Sequence, residues 1–404
     1  MNRSSMWAAS AAAIVIQFVL QSVIGLGLQT IYVPNLAGAH PTVEEIRTGS
    51  LTALWQGVHY WGSQILILHC FLHLAMMVWS GRYKYRLEFL GICLLFLSAF
   101  LFQVTGNALP MDRHDVQTVV IEAGIGRSMP VVGEWVGQMI LQGDRFNQDT
   151  LTTWFDAHRY LVVGLMVFGL IVFLAGRKGR GEKGSLFAML VPLVAVFVLA
   201  WLVKPPAGEQ GVLADFDATN ALVGWYTWPL HGALKAFSAI SPSLGWVGAG
   251  VLPGLFAAFL AILVVMGSKF DVSKARIGFG AFVLVFLGAA LLFGGRFAPL
   301  TGNQDPPKLA EVKRADIQPI DNALAAKGEL LFANAPCAGC HGPKGAGGTG
   351  PSLLTVFKKY PNADWYKRFI KNPASVKPGT VMPAFPDLSE ADLSALAEFL
   401  RKPK

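Results

Sequence analysis

The sequence predicts an all-α protein with seven transmembrane helices and a small soluble helical domain at its C-terminal end. Of the 404 residues, 53% are hydrophobic and only 14% are charged, whereas soluble proteins carry about 25% charged residues. Each apolar run is long enough to cross a bilayer core of about 30 Å as a helix. After residue 318 the composition becomes that of a soluble domain. The seven runs lie at 8–30, 55–79, 89–109, 159–175, 185–203, 246–268 and 277–295.

The basic residues orient these helices, because cytoplasmic loops are enriched in lysine and arginine. They predict a bacterial cytoplasmic (inner) membrane protein with a cytoplasmic N-terminus and everything after Gly295 on the periplasmic side. The net charge of +8 therefore reflects topology, and no nucleic-acid partner is expected. The long loop 110–157 lies on the outer side and is predicted to hold short surface helices. The orienting residues are Arg3, Arg82, Lys84, Arg86, Arg177, Lys178, Arg180, Lys183, Lys269, Lys274 and Arg276.

Histidines mark the second apolar run, 55–79, which has no charged residue but contains His59, His69 and His73. His59 and His73 are separated by 14 residues, so they share one helix face about 21 Å apart along the axis. An imidazole within lipid is costly unless it faces a partner, a cavity or a metal. His158 opens the fourth run, which is parallel to the second, at the depth of His59. We therefore predict a haem b between His59 and His158.

The segment Cys337-Ala338-Gly339-Cys340-His341 is the C-x-x-C-H signature of covalent haem attachment. Two thioethers from Cys337 and Cys340 would hold the porphyrin, and His341 would bind its iron. Attachment of this kind takes place outside the cytoplasm, which agrees with the topology from charges. Cys70 and Cys93 lie within apolar runs and are expected to be inert thiols.

The C-terminal domain resembles class I cytochrome c along its whole length. The residues that carry the resemblance are the motif itself, the preceding segment 328–332, Gly350-Pro351, Met382-Pro383 and a terminal helix at about 390–401. The resemblance implies that His341 and Met382 are the axial ligands of one haem c. A thioether ligand favours a relatively high reduction potential.

The first 300 residues resemble cytochrome b of the Rieske/cytochrome b complexes. The resemblance implies a four-helix haem-binding domain at 1–180 and a three-helix domain at 181–295. A polar, proline-containing linker at 296–318 joins them to the cytochrome c domain at 319–404. Gly25 and Gly106 would let their helices pass close to a porphyrin. The resemblance rests on the His59/His73 spacing, Gly25 and Gly27, the run 106–110, the run 149–158 and the run 225–230.

One departure from the family concerns a second haem. The family has a second histidine 14 residues after the first in the fourth span, and here that position is Val172. His73 therefore has no evident partner. Two alternatives explain His69 and His73. One is a second haem b near His73 with an unusual ligand set, and the other is that both imidazoles are bonded to backbone or to a quinone.

Another departure concerns the outer quinol site. The family's Pro-Glu-Trp-Tyr is Val223-Gly224-Trp225-Tyr226 here, so its glutamate is missing. A His–Asp pair suits proton transfer near neutral pH. We expect a quinone site at Asp112, His114 and Tyr226; the alternative is that Asp112 and His114 form surface salt bridges. Other candidate proton acceptors, each also explicable as a loop residue, are His231, Asp215 and Asp217.

The sequence thus predicts an electron-transfer oxidoreductase subunit of a quinol:cytochrome c type complex, which exchanges electrons between quinone, haem b and periplasmic haem c. No Rieske cluster motif occurs in the chain, so a Rieske protein would be a separate subunit. The alternative is a haem-bearing membrane anchor that links a periplasmic dehydrogenase or multihaem cytochrome to quinone or to a soluble cytochrome. A third possibility is an anchoring protein in which only the c domain is redox-active.

Overall fold

The computed structural model divides the chain into two compact units. One contains residues 1–211 and 221–301, and the other contains 212–220 and 302–404. The structure describes residues 3–143, 146–206, 208, 210, 224–241, 244–293, 320–334, 337–341, 343–345, 353–354, 356–360, 362–376 and 382–402.

The first unit is a helical membrane bundle. Six of its described helices are long and apolar enough to cross a bilayer, and the fifth predicted span is a shorter apolar helix, Leu186–Leu202. These observations confirm an all-α, multi-pass membrane protein. The bounds are α1 Arg3–Gln29, α2 Ala39–Thr48, α3 Ser50–Ser80, α4 Arg86–Asn107, α5 Arg113–Arg127, α6 Gly133–Leu141, α7 Gln148–Asp156, α8 Val162–Arg177, α9 Leu186–Leu202, α10 Trp228–Ile240, α11 Leu252–Met266 and α12 Val272–Phe293.

The fourth span begins 11 residues earlier than the apolar run indicated. The side chain of Asn147 accepts hydrogen bonds from the backbone N–H groups of Asp149 and Thr150 and so begins α7. A π-helical turn, Ala157–Leu161, joins α7 to α8 and contains His158. Single π turns inside helices are frequent at functional sites. The apolar run begins later than the helix because the first two turns are polar.

The fifth span is shorter than most. Its 17 residues give a length of about 25 Å, somewhat below the bilayer core of about 30 Å. Pro192 lies inside this helix. The count of seven spans is therefore approximate, with six full-length helices and one short one among the described residues.

The loop between α4 and α7 contains the two short helices predicted for it, α5 and α6. The carboxylate of Asp112 accepts a hydrogen bond from the N–H of Asp115, and the carboxylate of Asp115 accepts one from the N–H of Asp112. This reciprocal capping box satisfies two backbone donors at the start of α5. Asp112 therefore has a structural role as the helix cap.

Helices α4 and α8 are in close contact at the predicted cytoplasmic end. A Cβ on Gly176 would lie 2.2 Å from the backbone nitrogen of Glu88. The fully buried Glu88 carboxylate accepts hydrogen bonds from Arg177 and Arg180, and the Arg82 guanidinium lies 3.7 Å from it. Because a buried carboxylate is stable only when it is paired, this cluster holds the two helices together.

The second unit is a small all-α domain, as predicted. Its first and last helices cross so closely that a Cβ on Gly328 would lie 1.9 Å from the carbonyl oxygen of Ala395. The rings of Phe332 and Phe399 pack 5.3 Å apart at this crossing. The bounds are α13 Asn322–Asn334, α14 Cys337–His341, α15 Val356–Lys359, α16 Ala363–Lys371, α17 Pro373–Val376 and α18 Glu390–Arg401.

Candidate haem and quinone sites

The structure brings His59 of α3 and His158 together. Their ring centroids are 6.3 Å apart, and the ring planes are inclined by 71°. An imidazole nitrogen binds a first-row metal at about 2.0 Å and its ring centroid lies about 1.1 Å further back, so two imidazoles on one metal have centroids about 6.2 Å apart. The observed separation therefore fits a pair of axial ligands on a single iron.

Thr105 fixes the tautomer of His158. The Thr105 hydroxyl donates its single hydrogen to the carbonyl oxygen of Leu101 at 2.7 Å, and its oxygen also lies 2.9 Å from His158 Nδ1. The hydroxyl has no second hydrogen to give, so His158 Nδ1 must be the donor of the other bond. The lone pair of a neutral imidazole is then on Nε2, which is free to bind a metal.

Two glycines leave room beside these rings. A Cβ on Gly25 would lie 3.1 Å from His59 Cε1, and a Cβ on Gly106 would lie 3.0 Å from His158 Cε1. In addition, His59 Nδ1 is buried and has no hydrogen-bond partner among the described residues. The chemistry of the donors, the ring separation and these two small residues all fit a haem.

His73, on the same helix, has quite different surroundings. The Ser10 hydroxyl lies 2.8 Å from His73 Nδ1 and 3.0 Å from His69 Nε2. The amide nitrogen of Gln17 donates to the carbonyl of Ala13 and to His69 Nδ1 at 2.7 Å. His69 Nε2–H must therefore donate to Ser10, and Ser10 donates to His73. The two imidazoles belong to one hydrogen-bonded chain between α1 and α3.

Aromatic side chains fill the space on the other sides of His73. Its ring contacts Trp7 at 5.3 Å and Phe173 at 5.8 Å, both edge to face. A Cβ on Gly91 would lie 2.4 Å from Phe173 Cα, so α4 and α8 touch at this depth. No second imidazole stands opposite His73 in the part of the chain that the structure describes. The geometry thus matches hydrogen-bonded core histidines.

The outer face carries Tyr226, whose hydroxyl donates to the carbonyl oxygen of Gln103 at 3.4 Å. Burial raises the pKa of this phenol, and the carboxyl groups of Glu122 and Asp115 raise that pKa further. Burial also raises the pKa of Glu122 to about 8. The pKa of Asp115 is raised well above its usual value, first by burial and then by Asp112.

The other predicted proton acceptors are less informative. The His114 side chain, Asp215 and Asp217 lie outside the described residues. His231 of α10 is buried, and burial lowers its pKa to about 4. An imidazole buried in this way stays neutral at physiological pH.

Two glutamines that the sequence did not single out are connected to Trp225 of the run 225–230. Trp225 donates its indole N–H to the side-chain oxygen of Gln64, and the Gln64 amide nitrogen donates to the side-chain oxygen of Gln103 at 3.0 Å. Glu122 and Thr105 were likewise missed. The only signal for the glutamines was their position inside otherwise apolar runs, since their partners come from other helices.

In the second unit, Cys337 and Met382 both pack against one buried core, which includes Phe332, Tyr366 and Leu396. Cys337 is half-buried. His341 ends α14, while the side chain of Cys340 lies outside the described residues. A thiol and a thioether about 45 residues apart in sequence thus meet at one apolar core, where the sequence places a haem.

Comparisons with known proteins agree with the sites in the membrane unit and in the C-terminal unit. The family model described as cytochrome b(N-terminal)/b6/petB matches residues 64–203. The model described as cytochrome C oxidase, cbb3-type, subunit III matches residues 323–400. The fold and sites therefore define a membrane-bound electron-transfer cytochrome with b-type and c-type parts.

Two cytochromes b6 show the family to which the chain belongs. Cytochrome b6 of Synechococcus sp. (strain CC9605) is 30% identical over 173 residues, which is 42% of this chain and 79% of the relative. Cytochrome b6 of Mastigocladus laminosus is 30% identical over 173 residues, 42% of this chain and 80% of the relative. The chain belongs to the cytochrome b/b6 family and carries a C-terminal cytochrome c domain.

A solved structure is similar in fold. It is a chain of the hyperthermophilic respiratory Complex III, with 16% identity and a TM-score of 0.51. The match covers 72% of this chain and 92% of that chain. At this identity the likeness concerns the fold alone.

Proposed function

We propose that this membrane cytochrome transfers electrons between quinone at the outer membrane face and a periplasmic redox protein. The path runs through one haem b, held by His59 and His158, and one covalent haem c. The observation that carries the proposal is the 6.3 Å separation of the two imidazole rings, which suits two ligands on one iron.

In the b site, this chain's residues hold and orient the group. His59 and His158 supply one imidazole from each helix, and Thr105 keeps His158 Nε2 free by accepting the Nδ1 hydrogen. A hydrogen-bond acceptor on the far nitrogen of a ligating imidazole orients the ring and raises its basicity. Gly25 and Gly106 keep the approach open. When bound, the haem supplies one-electron chemistry between ferric and ferrous iron.

In the c domain, Cys337 and Cys340 would hold the porphyrin covalently, and His341 and Met382 would bind its iron. A covalent group compensates for the small core of a domain of about 85 residues. The apolar packing around Cys337 and Met382 keeps water away and favours a high potential.

The inner half carries no second haem b in this proposal. His73 is bonded to Ser10 and flanked by Trp7 and Phe173, and Val172 offers no ligand. Electrons then cross no more than the outer part of the bilayer. The chain would not complete a Q-cycle by itself, and its electron transfer would be nearly non-electrogenic.

The predicted domain boundaries at 180, 295 and 318 and the orientation in the bacterial inner membrane belong to the same proposal. The N-terminus is cytoplasmic and the c domain is periplasmic. The partners are other subunits of a membrane redox complex, either a Rieske-type protein or a periplasmic dehydrogenase, and a soluble periplasmic cytochrome. Quinone binds near Asp112, His114 and Tyr226.

Anaerobic stopped-flow spectroscopy of the purified protein tests this function. Addition of a quinol should reduce the b-type α-band first and the c-type band afterwards. Reduction by decylubiquinol and by 2,3-dimethyl-1,4-naphthoquinol should be compared. A b-type band that neither quinol reduces would contradict the proposal, and so would a c-type band that is reduced while His158→Ala has removed the b-type band.

A further inference from the structure

We propose that the quinol site is built from the Gln103 side-chain amide, which donates a hydrogen bond to a quinol oxygen, and the Glu122 carboxylate, which accepts the proton of that hydroxyl. Gln103 is on α4 and Glu122 is on α5. The inference rests on the proposed function and names the atoms of its quinol site.

The first step is the orientation of the Gln103 amide. An indole nitrogen can only donate, so Trp225 fixes the side-chain oxygen of Gln64 toward itself. The Gln64 nitrogen then faces Gln103, and Gln103 must meet it with oxygen. The Gln103 amide nitrogen is left on the far side as a donor. Trp225 thus sets the direction of the whole chain.

The second step is that this donor has no partner. The Gln103 side chain is buried, with the residue 7% exposed, and its amide nitrogen makes no hydrogen bond within the described ranges. An unpaired buried donor costs about 1–3 kcal/mol. A bound acceptor that supplies the missing hydrogen bond would remove this cost. A quinol or quinone oxygen is such an acceptor and can enter from the apolar phase.

The third step is the neighbouring carboxyl group. Tyr226 donates to the backbone carbonyl of Gln103, and the charges of Glu122 and Asp115 act on the same phenol, so both acids and the Gln103 backbone lie near one tyrosine. Asp115 and Glu122 are seven residues apart, which places them on one face of α5. Asp115 is engaged in the helix cap, whereas Glu122 forms no ion pair with any described residue.

Position 224, two residues before Tyr226, is a glycine and supplies no carboxyl group. A Cβ on Gly224 would lie 2.3 Å from Tyr226 Cε1, inside the space that the phenol ring occupies. An acidic side chain there would displace the tyrosine. The carboxyl near this ring comes from α5.

The site also lies next to the proposed haem. Gln103 is flanked on α4 by Phe102, whose ring contacts His158 at 5.2 Å, and by Thr105, which is bonded to His158. One turn of α4 therefore connects the amide donor to the b-haem ligand. A quinol bound at Gln103 would stand beside the electron acceptor.

The chemistry balances as a proton-coupled oxidation. The quinol O–H bond breaks and a new O–H bond forms on Glu122, while the second quinol proton goes to solvent. The two electrons leave one at a time to two ferric haem centres, which are reduced to ferrous. The quinol is oxidised to quinone.

The acid–base behaviour supports this role. Burial raises the pKa of Glu122 to about 8, so its carboxyl group is protonated below that pH and becomes a proton acceptor above it. Tyr226 is the titratable group on which Glu122 acts, and Asp115 and Tyr60 of α3 act on the same phenol. These are the titratable groups around Glu122. Quinol oxidation should therefore rise with pH through about 8.

The test uses the purified, haem-loaded protein with the two quinols named above. Glu122→Gln should lower the rate constant of quinol oxidation about 100-fold, as expected for loss of a general base, with KM unchanged and the rise near pH 8 lost. Glu122→Asp should recover part of the rate. Gln103→Leu should raise KM about tenfold, as expected for one lost hydrogen bond.

Matched controls separate these effects from general damage. Glu134→Gln changes an exposed carboxyl of α6 that is paired with Arg127. Gln117→Leu changes a buried glutamine of α5 whose polar atoms also lack partners among the described residues. Both variants should keep rate and KM within twofold. Haem b content at the wild-type level checks folding, and Glu122→Asp decides the question should Glu122→Gln lose its haem.

Infrared spectroscopy supplies a readout that is independent of turnover. A carboxyl C=O band titrating near pH 8 should be present in the wild type and absent in Glu122→Gln. Wild-type rates and pH profile in Glu122→Gln, or persistence of that band, would overturn this inference and leave the proposed function standing. A wild type that contains haem b but accepts electrons from neither quinol would overturn both.

Discussion

His59 and His73 lie on one face of the same helix, 14 residues apart, and each has one buried ring nitrogen without a partner among the described residues, yet the groups opposite their rings differ. His59 faces a second imidazole at a spacing that suits one iron, with small residues beside both rings. His73 faces a serine hydroxyl and two aromatic rings. A helix can therefore keep the spacing of two haem ligands while the neighbouring helices leave space and a second ligand for only one haem.

The difference comes from the partner helices. On α8 and its π turn, the outer position is His158, and the corresponding inner position, 14 residues later, is Val172. On α1, Gly25 stands beside the outer site, and Ser10 stands beside the inner one and binds both of its imidazoles. Gly25 thus leaves space beside the outer imidazole pair. Ser10 instead hydrogen-bonds the inner imidazoles, where Val172 cannot bind iron.

The largest effect should come from His158→Ala. Removal of one axial imidazole should abolish the b-type α-band completely, while the c-type band of the second unit stays, as measured in reduced-minus-oxidised spectra. His69→Ala on α3 is the matched control and should keep the b-type band. Loss of the band in both variants would contradict the distinction between the outer and inner histidines.

Thr105→Val should have the next largest effect. It removes the acceptor of the His158 Nδ1 hydrogen, and loss of such a partner typically costs about 10–100-fold in metal affinity. Transfer of haem b to apomyoglobin should be faster to this extent. Ser98→Ala on the same helix removes a similar hydroxyl-to-carbonyl bond, from Ser98 to Leu94, and should leave transfer unchanged. Equal transfer rates in Thr105→Val and the wild type would show that the Thr105 hydroxyl does not hold His158 in place.

Ser10→Ala should affect stability but not haem content. It leaves His73 Nδ1 and the Nε2 hydrogen of His69 without their partner, at a cost of about 1–3 kcal/mol for a buried group. The free energy of unfolding in mixed detergent should fall by this amount, with the b-type band at full strength. A loss of haem b together with the stability would place iron at the inner histidines.

The smallest spectral effect should come from Val172→His. Phe173 and Gly91 already touch at this depth, so a new imidazole would find no haem-sized space opposite His73. The b-type band should stay at the wild-type intensity in pyridine haemochrome spectra. A doubled b-type signal would mean that the inner space opens when a ligand is provided.

Much of this arrangement followed from the sequence. Apolar length and charge predicted the helical membrane bundle, and the 14-residue spacing with the parallel directions of two spans predicted that His59 and His158 meet. The C-x-x-C-H motif predicted the second unit. These features depend on apolar length, residue spacing and charge within each segment, which a sequence displays directly.

The parts that were missed depend on contacts between segments. The hydrogen bonds from Trp225 through Gln64 to Gln103 involve three separate segments, and the proximity of Glu122 to Tyr226 depends on how α5 lies on the bundle. The asparagine cap that sets the first residue of the fourth span lies within a polar segment and has no signal in the apolar pattern. The use of the Asp112 carboxylate to cap α5 was likewise not predicted.

Pyridine haemochrome analysis of the purified full-length chain tests the central claim most directly, because it counts b-type and c-type haem separately. The proposed sites predict one haem b and one haem c per chain, with only the haem b lost in His158→Ala. A ratio of two haem b to one haem c in the wild type, or no haem b at all, would contradict the account.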